Sequence, residues 1–219
     1  MENEAQLWEK KLKELENNVE DLIKYVTAWW LRVSVIIEVK PKNSESVMEH
    51  ITQLMSYLRQ VLREQLDQWF VPGLLFTGTQ LAAWVVDRSG ALGTQTSFNI
   101  HKEPKKFIQV ILACSMLLPE RLGWDITMRI WREPSNNGLS QYLHSFSKEI
   151  TIDDYANNAH TQQWMIEMPV QDTIGNGEMW ELFLTTKVLS VVRAECMRGR
   201  TIVVWAARKL KDVQAQALD

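Results

Sequence analysis

The chain has 219 residues, room for one domain or for one domain with a partner piece. Apolar residues make up 46% and charged residues 23%, with nine Gly and six Pro, which excludes a disordered, collagen-like or coiled-coil protein. The formal charge of −3 and a pI near 5.9 exclude a protein that coats nucleic acid by bulk electrostatics.

Ten Trp and nine Met imply a core, or a core plus an adhesive surface, built from large adaptable side chains. Two cysteines, Cys114 and Cys196, cannot form a disulfide scaffold, and Cys114 sits in an apolar run as a buried thiol. His50, His101, His144 and His160 are scattered singly, without zinc spacing. Met1 leads straight into MENEAQLWEKKLKELENN, so no export signal is expected. FIQVILACSMLLP is too short to span a bilayer. The expected setting is intracellular, cytoplasmic or nuclear, with no membrane partner.

Leu7, Trp8, Leu12 and Leu15 have helical spacing over residues 3–17, with Glu9, Glu14 and Glu16 on a solvated face. Residues 19–30 are ambiguous, because VEDLIKYV alternates weakly and also reads as a strand. RVSVIIEV, residues 32–39, is the clearest strand: β-branched, short and stopped by Pro41. Residues 44–67 read as a helix. Ser46 and Glu49 form a capping box, and Val47, Ile51, Leu54, Leu58, Leu62 and Leu66 make one apolar stripe. FVPGLLFT and LAAWVVD, on either side of Gly78-Thr79-Gln80, read as a tight hairpin, followed by a turn at Ser89-Gly90.

Pro104 opens a further helix over residues 104–118, at a position where its missing N–H costs nothing, and Pro119 ends it. Residues 125–131 look strand-like, and Pro134 to Gly138 form a loop. Residues 183–192 and 201–206 read as strands flanking Met197-Arg198-Gly199-Arg200. The expectation is an α/β or α+β chain: a mixed sheet flanked by helices over residues 1–125, and a strand-rich portion over 126–219. There is no internal repeat.

Glu38 and Lys40 stand two apart at the end of the first strand, so both side chains point to one face. A carboxylate beside an ammonium suits a magnesium-dependent phosphodiesterase, in which the carboxylate holds the metal and the Lys stabilises charge or orients water. A second carboxylate must come from elsewhere, and Asp21, in Glu20-Asp21-Leu22-Ile23 and seventeen residues before Glu38, is the candidate. Gln53 and Tyr57 lie one turn apart on the following helix and share its face. A strand with Glu-x-Lys followed by a helix with Gln-x-x-x-Tyr resembles the PD-(D/E)XK nuclease superfamily. The resemblance implies Asp21 and Glu38 as metal ligands, Mg2+ as the cation, and Lys40, Gln53 and Tyr57 over the same site. The structural alternative is a sheet-edge ion pair between Glu38 and Lys40, with Tyr57 half-buried in the core.

A second resemblance covers more of the chain. Val86-Asp87-Arg88-Ser89-Gly90, then Asn99-Ile100-His101-Lys102 with Pro104, then Leu122-Gly123-Trp124-Asp125, are similar in order and spacing to the N-terminal region of the fungal-type protein kinase family. It extends from about residue 35 to 205. Residues 188–205 resemble the start of a kinase N-lobe, whose first hairpin covers ATP phosphates through backbone N–H groups. Arg198, Gly199 and Arg200 would be the remnant of that phosphate loop, although a single Gly stands where several are usual. Lys211 comes only six residues after Trp205, too soon to be the kinase lysine of a third strand. No His-Arg-Asp and no Asp-Phe-Gly occurs. The expectation is therefore a truncated, non-catalytic binding or regulatory module with a protein partner. Nucleic acid is the second candidate partner, and a Mg-dependent nuclease is the alternative function.

The remaining polar residues read structurally. Asp87 is expected to accept the N–H groups of the Ser89-Gly90 turn, and Arg88 to pair with a neighbouring acid. His101 reads as a cap or a packed ring, and Asp153-Asp154 as a helix start.

Overall fold

The computed structural model describes residues 9–10, 13–14, 16, 18–19, 21–22, 32–42, 46–131, 142–147, 162–171, 178–191 and 203–216. Within them lie β1 (Ile36–Lys40), α1 (Val47–Glu64), β2 (Phe70–Thr77), β3 (Gln80–Asp87), β4 (Ala91–Gly93), β5 (Phe98–Asn99) and α2 (Pro104–Met116). A 3-10 turn (Pro119–Leu122) leads to β6 (Met128–Trp131), β7 (Tyr142–Leu143), β8 (Trp164–Gln171), β9 (Glu178–Val191), β10 (Val203–Lys209) and α3 (Leu210–Gln216). The fold is α+β, with one mixed and one antiparallel sheet.

The mixed sheet runs β1-β2-β3-β4, with β5 also paired to β3. β1 and β2 are parallel, Ile36 opposite Gly73 and Lys40 opposite Thr77, so α1 is the crossover between them. β2 and β3 are antiparallel in full register and joined by Gly78-Thr79. Gly78 alone takes a positive φ there, 61°, the pattern of a two-residue II′ hairpin.

Period-two alternation gives the sheet two apolar faces. Val71, Leu75, Ala82, Trp84 and Val86 face α1, against its Leu54, Leu58, Val61 and Leu62. Each fully buried Leu on that stripe contributes about 2 kcal/mol of transfer free energy. Gly73 lets α1 approach closely, since a Cβ there would lie 2.7 Å from Cδ1 of Leu58. Leu74, Phe76, Leu81 and Ala83 face the other way and meet Phe107, Val110, Ile111 and Cys114 of α2.

α1 carries the expected capping box: Glu49 N–H donates to Ser46 Oγ at 3.3 Å, and Ser46 N–H to Glu49 Oε2 at 3.2 Å. It ends at Glu64, three residues short of the expected end, because Gln65 leaves helical geometry and its Nε2 donates to the Val33 carbonyl at 2.8 Å. The same contact holds residues 33–35 beside the sheet, and the ladder starts at Ile36 instead of Arg32. Val19, Asp21 and Leu22 are helical, which corrects the strand alternative for the described part of residues 19–30.

The second sheet runs β10-β9-β8-β6-β7. Its core holds Met128, Ile130 and Trp164, and Leu66, from the α1–β2 connection, inserts among them. β6 begins at Met128 instead of Asp125, because the Asp125 carboxylate accepts from Thr127 N–H at 2.9 Å and from its hydroxyl at 2.6 Å, forming a local turn. β9 starts at Glu178, five residues before the expected start, because residues 178–182 pair with the end of β8. β9 and β10 pair from Val191 opposite Val203 to Phe183 opposite Lys209, with two bulges. The Pro134 to Gly138 loop and the Asp153-Asp154 helix start lie outside the described residues.

Candidate functional site

Alternation along β1 turns Ile36, Glu38 and Lys40 to one side and Ile37 and Val39 to the other. Ile36 packs against the buried cluster that α1 forms with β2 and β3, so Glu38 and Lys40 lie on the α1 face. Lys40 Nζ is 3.0 Å from Glu38 Oε1, with side-chain exposures of 21% and 15%. The two groups thus converge, and each is the other's partner. On α1, Gln53 Nε2 donates to the Tyr57 hydroxyl at 2.8 Å, and both residues are half-buried. The strand pair and the helix pair each form internally.

Asp21 is exposed, and among the described residues its partner is Asn18, whose Nδ2 donates to Oδ2 at 2.6 Å. The described residues gather no group of three or more acidic, His or Cys side chains able to hold a metal ion. Among the described residues, the expected ligand on the α1 face is Glu38, already paired with an ammonium. Those residues do not fit a magnesium ion held by several carboxylates.

Arg198, Gly199 and Arg200 lie outside the described residues. What is described is the hairpin that carries them: β9 and β10 are adjacent antiparallel strands, and α3 follows without a gap. At its base, Glu181 receives Lys209 at 2.6 Å and Lys211 at 3.0 Å. The hydrogen bond from Lys209, then that from Lys211, hold the Glu181 carboxyl below its ordinary range, and Glu181 in turn raises Lys211. Lys211 is 67% exposed, a surface cation pinning the start of α3.

Asp87 behaves as its turn position dictates. Its Oδ1 accepts from Ser89 N–H, Ser89 Oγ and Gly90 N–H, each at 2.7 Å. The Ser89 hydroxyl bond is the main cause holding the carboxyl below its ordinary value. His101 is exposed and does not cap α2, whose N-cap position is Glu103; in the turn before it, Asn99 Oδ1 accepts from the N–H groups of His101 and Lys102. Cys114 is half-buried against the mixed sheet, and burial pushes its thiol pKa up, away from reactivity.

Arg88, expected to pair with an acid, binds backbone carbonyls. Its guanidinium donates to the carbonyls of Leu62 at 2.7 Å, Gln65 at 3.0 Å and Gln68 at 3.4 Å, closing the C-terminal end of α1. It borders a buried polar cluster that the sequence reading missed. Asp67 is 2% exposed, and Gln65 and Gln68 are fully buried. The Asp67 carboxylate accepts from the Ser145 hydroxyl, and its backbone carbonyl accepts from Asp125 N–H at 2.7 Å. Asp125 Oδ2 accepts from Trp69 Nε1 at 3.0 Å. Burial raises the Asp67 pKa to about 6 against the lowering pull of Ser145, and the Asp125 charge adds to the rise. The available signal was Gln65-x-Asp67-Gln68 around Leu66, polar residues continuing past an apolar stripe where a helix face should become solvated.

The sequence signature of a family described as fungal protein kinase matches residues 13–217. No curated protein and no solved structure matches. The matched span takes in both sheets and the hairpin at the end of the second. This chain belongs to the fungal protein kinase family.

Proposed function

We propose that this chain is a non-catalytic binding or regulatory module of a fungal-type protein kinase, and that its partner is a protein, the catalytic part of such a kinase. The observation that carries the reading is the β9–β10 hairpin at the edge of an antiparallel sheet, the arrangement that opens a kinase N-lobe. Phosphoryl transfer also needs a catalytic-loop Asp to orient the acceptor hydroxyl and a second Asp to hold magnesium. The 219 residues contain neither His-Arg-Asp nor Asp-Phe-Gly. Lys211, the nearest stand-in for a kinase lysine, is committed to Glu181 at the surface.

A protein partner also fits the surface. Ile108, Leu112 and Met116 recur at four-residue spacing on α2 with exposures of 54%, 48% and 75%, apolar area of the kind that association covers. The test is phosphoryl transfer from Mg-ATP by the purified chain to itself and to a basic acceptor protein. No transfer above buffer is expected; transfer that tracks the purified chain would overturn the reading.

A second reading is a Mg-dependent nuclease of PD-(D/E)XK type. The shared α1-facing side of Glu38 and Lys40 and the Gln53–Tyr57 pair on α1 favour it. It stands second because the described donor set does not fit the metal. Calorimetric titration with Mg2+ or Mn2+ tests it: saturable binding by the wild type that is lost in Glu38→Ala would reinstate it, and no binding would retire it.

A further inference from the structure

The α1–β2 connection is the place where the two sheets meet. Leu66 enters the core of the second sheet, while Gln65 donates to the Val33 carbonyl beside the first and Gln68 donates to the Leu122 carbonyl at 3.3 Å. Between them Asp67 reaches Ser145, just beyond β7, across 78 positions of sequence. The next turn of chain is clasped by backbone: Trp69 N–H donates to the Gly123 carbonyl at 2.7 Å, and Asp125 N–H to that of Asp67. Trp124, 3% exposed, closes the cluster against Phe146, ring centroids 5.5 Å apart.

We infer that Asp67 and Ser145 form a latch between the two sheets, whose hold is set by the protonation of Asp67. Asp67, 2% exposed at this seam, prefers to be neutral while the latch is closed, and returns to an ordinary carboxyl when opening readmits water. Among the described residues, the charged or titratable groups around it come from three elements. Arg88, at the end of β3, favours the carboxylate; Asp125, before β6, opposes it; His144 adjoins Ser145. Burial prevails, which places the closed-state pKa at about 6 against 3.8.

The direction follows from linkage. A raised closed-state pKa means that the closed form binds the proton more tightly. The hold is greatest while Asp67 is protonated in both forms. It weakens as pH rises from about 4 to about 6, and is constant above that. Between pH 4.5 and 7 the open-to-closed ratio rises roughly 20- to 30-fold. His144 works in the other direction: burial lowers its pKa, so the closed form resists its protonation and loses hold as pH falls below the ordinary 6.5. The two effects therefore have to be separated.

Hydrogen exchange of the full chain under conditions where opening is pre-equilibrated separates them. The readout is protection, corrected for intrinsic exchange, of peptides covering residues 120–131 and 142–147, against α1 as reference, from pH 4.5 to 7.5. Asp67→Asn removes the latch proton and leaves His144. The quotient of wild type over Asp67→Asn opening should rise roughly 20- to 30-fold across the range, with a midpoint in the upper half of the 4–6 window. A flat quotient would overturn the latch. Should Asp67→Asn not fold, Asp125→Asn gives an independent reading. Loss of that charge lowers the closed-state pKa, so the upper end of the transition moves to lower pH; an unmoved profile would refute the inference.

Discussion

Replacing Arg88 by Met tests the cluster most severely. The side chain keeps its apolar stem but loses the guanidinium, which is half-buried and donates to three carbonyls at the end of α1. Hydrogen bonds from a charged donor contribute about 1.5–3 kcal/mol each when their loss leaves a buried acceptor bare. The 3.4 Å bond to Gln68 is too long to count fully, so the two shorter bonds set the scale at about 3–5 kcal/mol. The loss should grow with pH. Arg88 lowers the Asp67 pKa, so removing it leaves a less compensated carboxylate above pH 6 and a neutral acid well below it. Urea unfolding followed by Trp fluorescence at pH 5 and pH 7.5 measures both. With a slope of about 2 kcal/mol per molar, the midpoint should fall by about 2 M at pH 7.5 and by less at pH 5. The double variant Arg88→Met/Asp67→Asn should recover about 1–2 kcal/mol at pH 7.5. A loss below 1 kcal/mol, or one independent of pH, would refute the argument that Arg88 both closes the helix and balances Asp67.

Ser46→Ala removes one half of the α1 capping box and should lower stability by about 1 kcal/mol in urea unfolding. Gly73→Ala places a methyl 2.7 Å from the buried Leu58 side chain and should cost about 1–3 kcal/mol, with α1 the first element to lose exchange protection. The Glu38–Lys40 pair is partly exposed, so a double-mutant cycle of Glu38→Gln and Lys40→Met should give a coupling of about 0.5–1 kcal/mol that shrinks in high salt. A coupling of several kcal/mol would mark a desolvated pair and strengthen the catalytic reading of that face.

What was legible in the sequence was what neighbouring residues decide. The hairpin of Phe70–Thr77 with β3, the Ser46–Glu49 box, Pro104 at the head of α2 and the Asp87 turn each depend on residues at most a few positions apart. What was not legible depends on distant partners. Nothing near Arg88 says that its acceptors are carbonyls 20 to 26 positions away. Nothing near Asp67 announces Ser145. α1 stops early because Gln65 finds Val33, and β9 starts early because β8 is there to pair with it. At the candidate site, spacing correctly brought Glu38 to Lys40 and Gln53 to Tyr57, because periods of 2 and 3.6 are local. It had no such rule for Asp21, whose described partner is three positions away.

The central claim is that the chain acts by binding a kinase catalytic part and not by chemistry of its own. Calorimetric titration of the chain with a catalytic domain from the fungal protein kinase family, in the presence of Mg-ATP, tests it most directly. The account predicts a saturable one-to-one complex. Absence of binding, with Mg2+ binding at Glu38 or phosphoryl transfer by the chain alone, would contradict it.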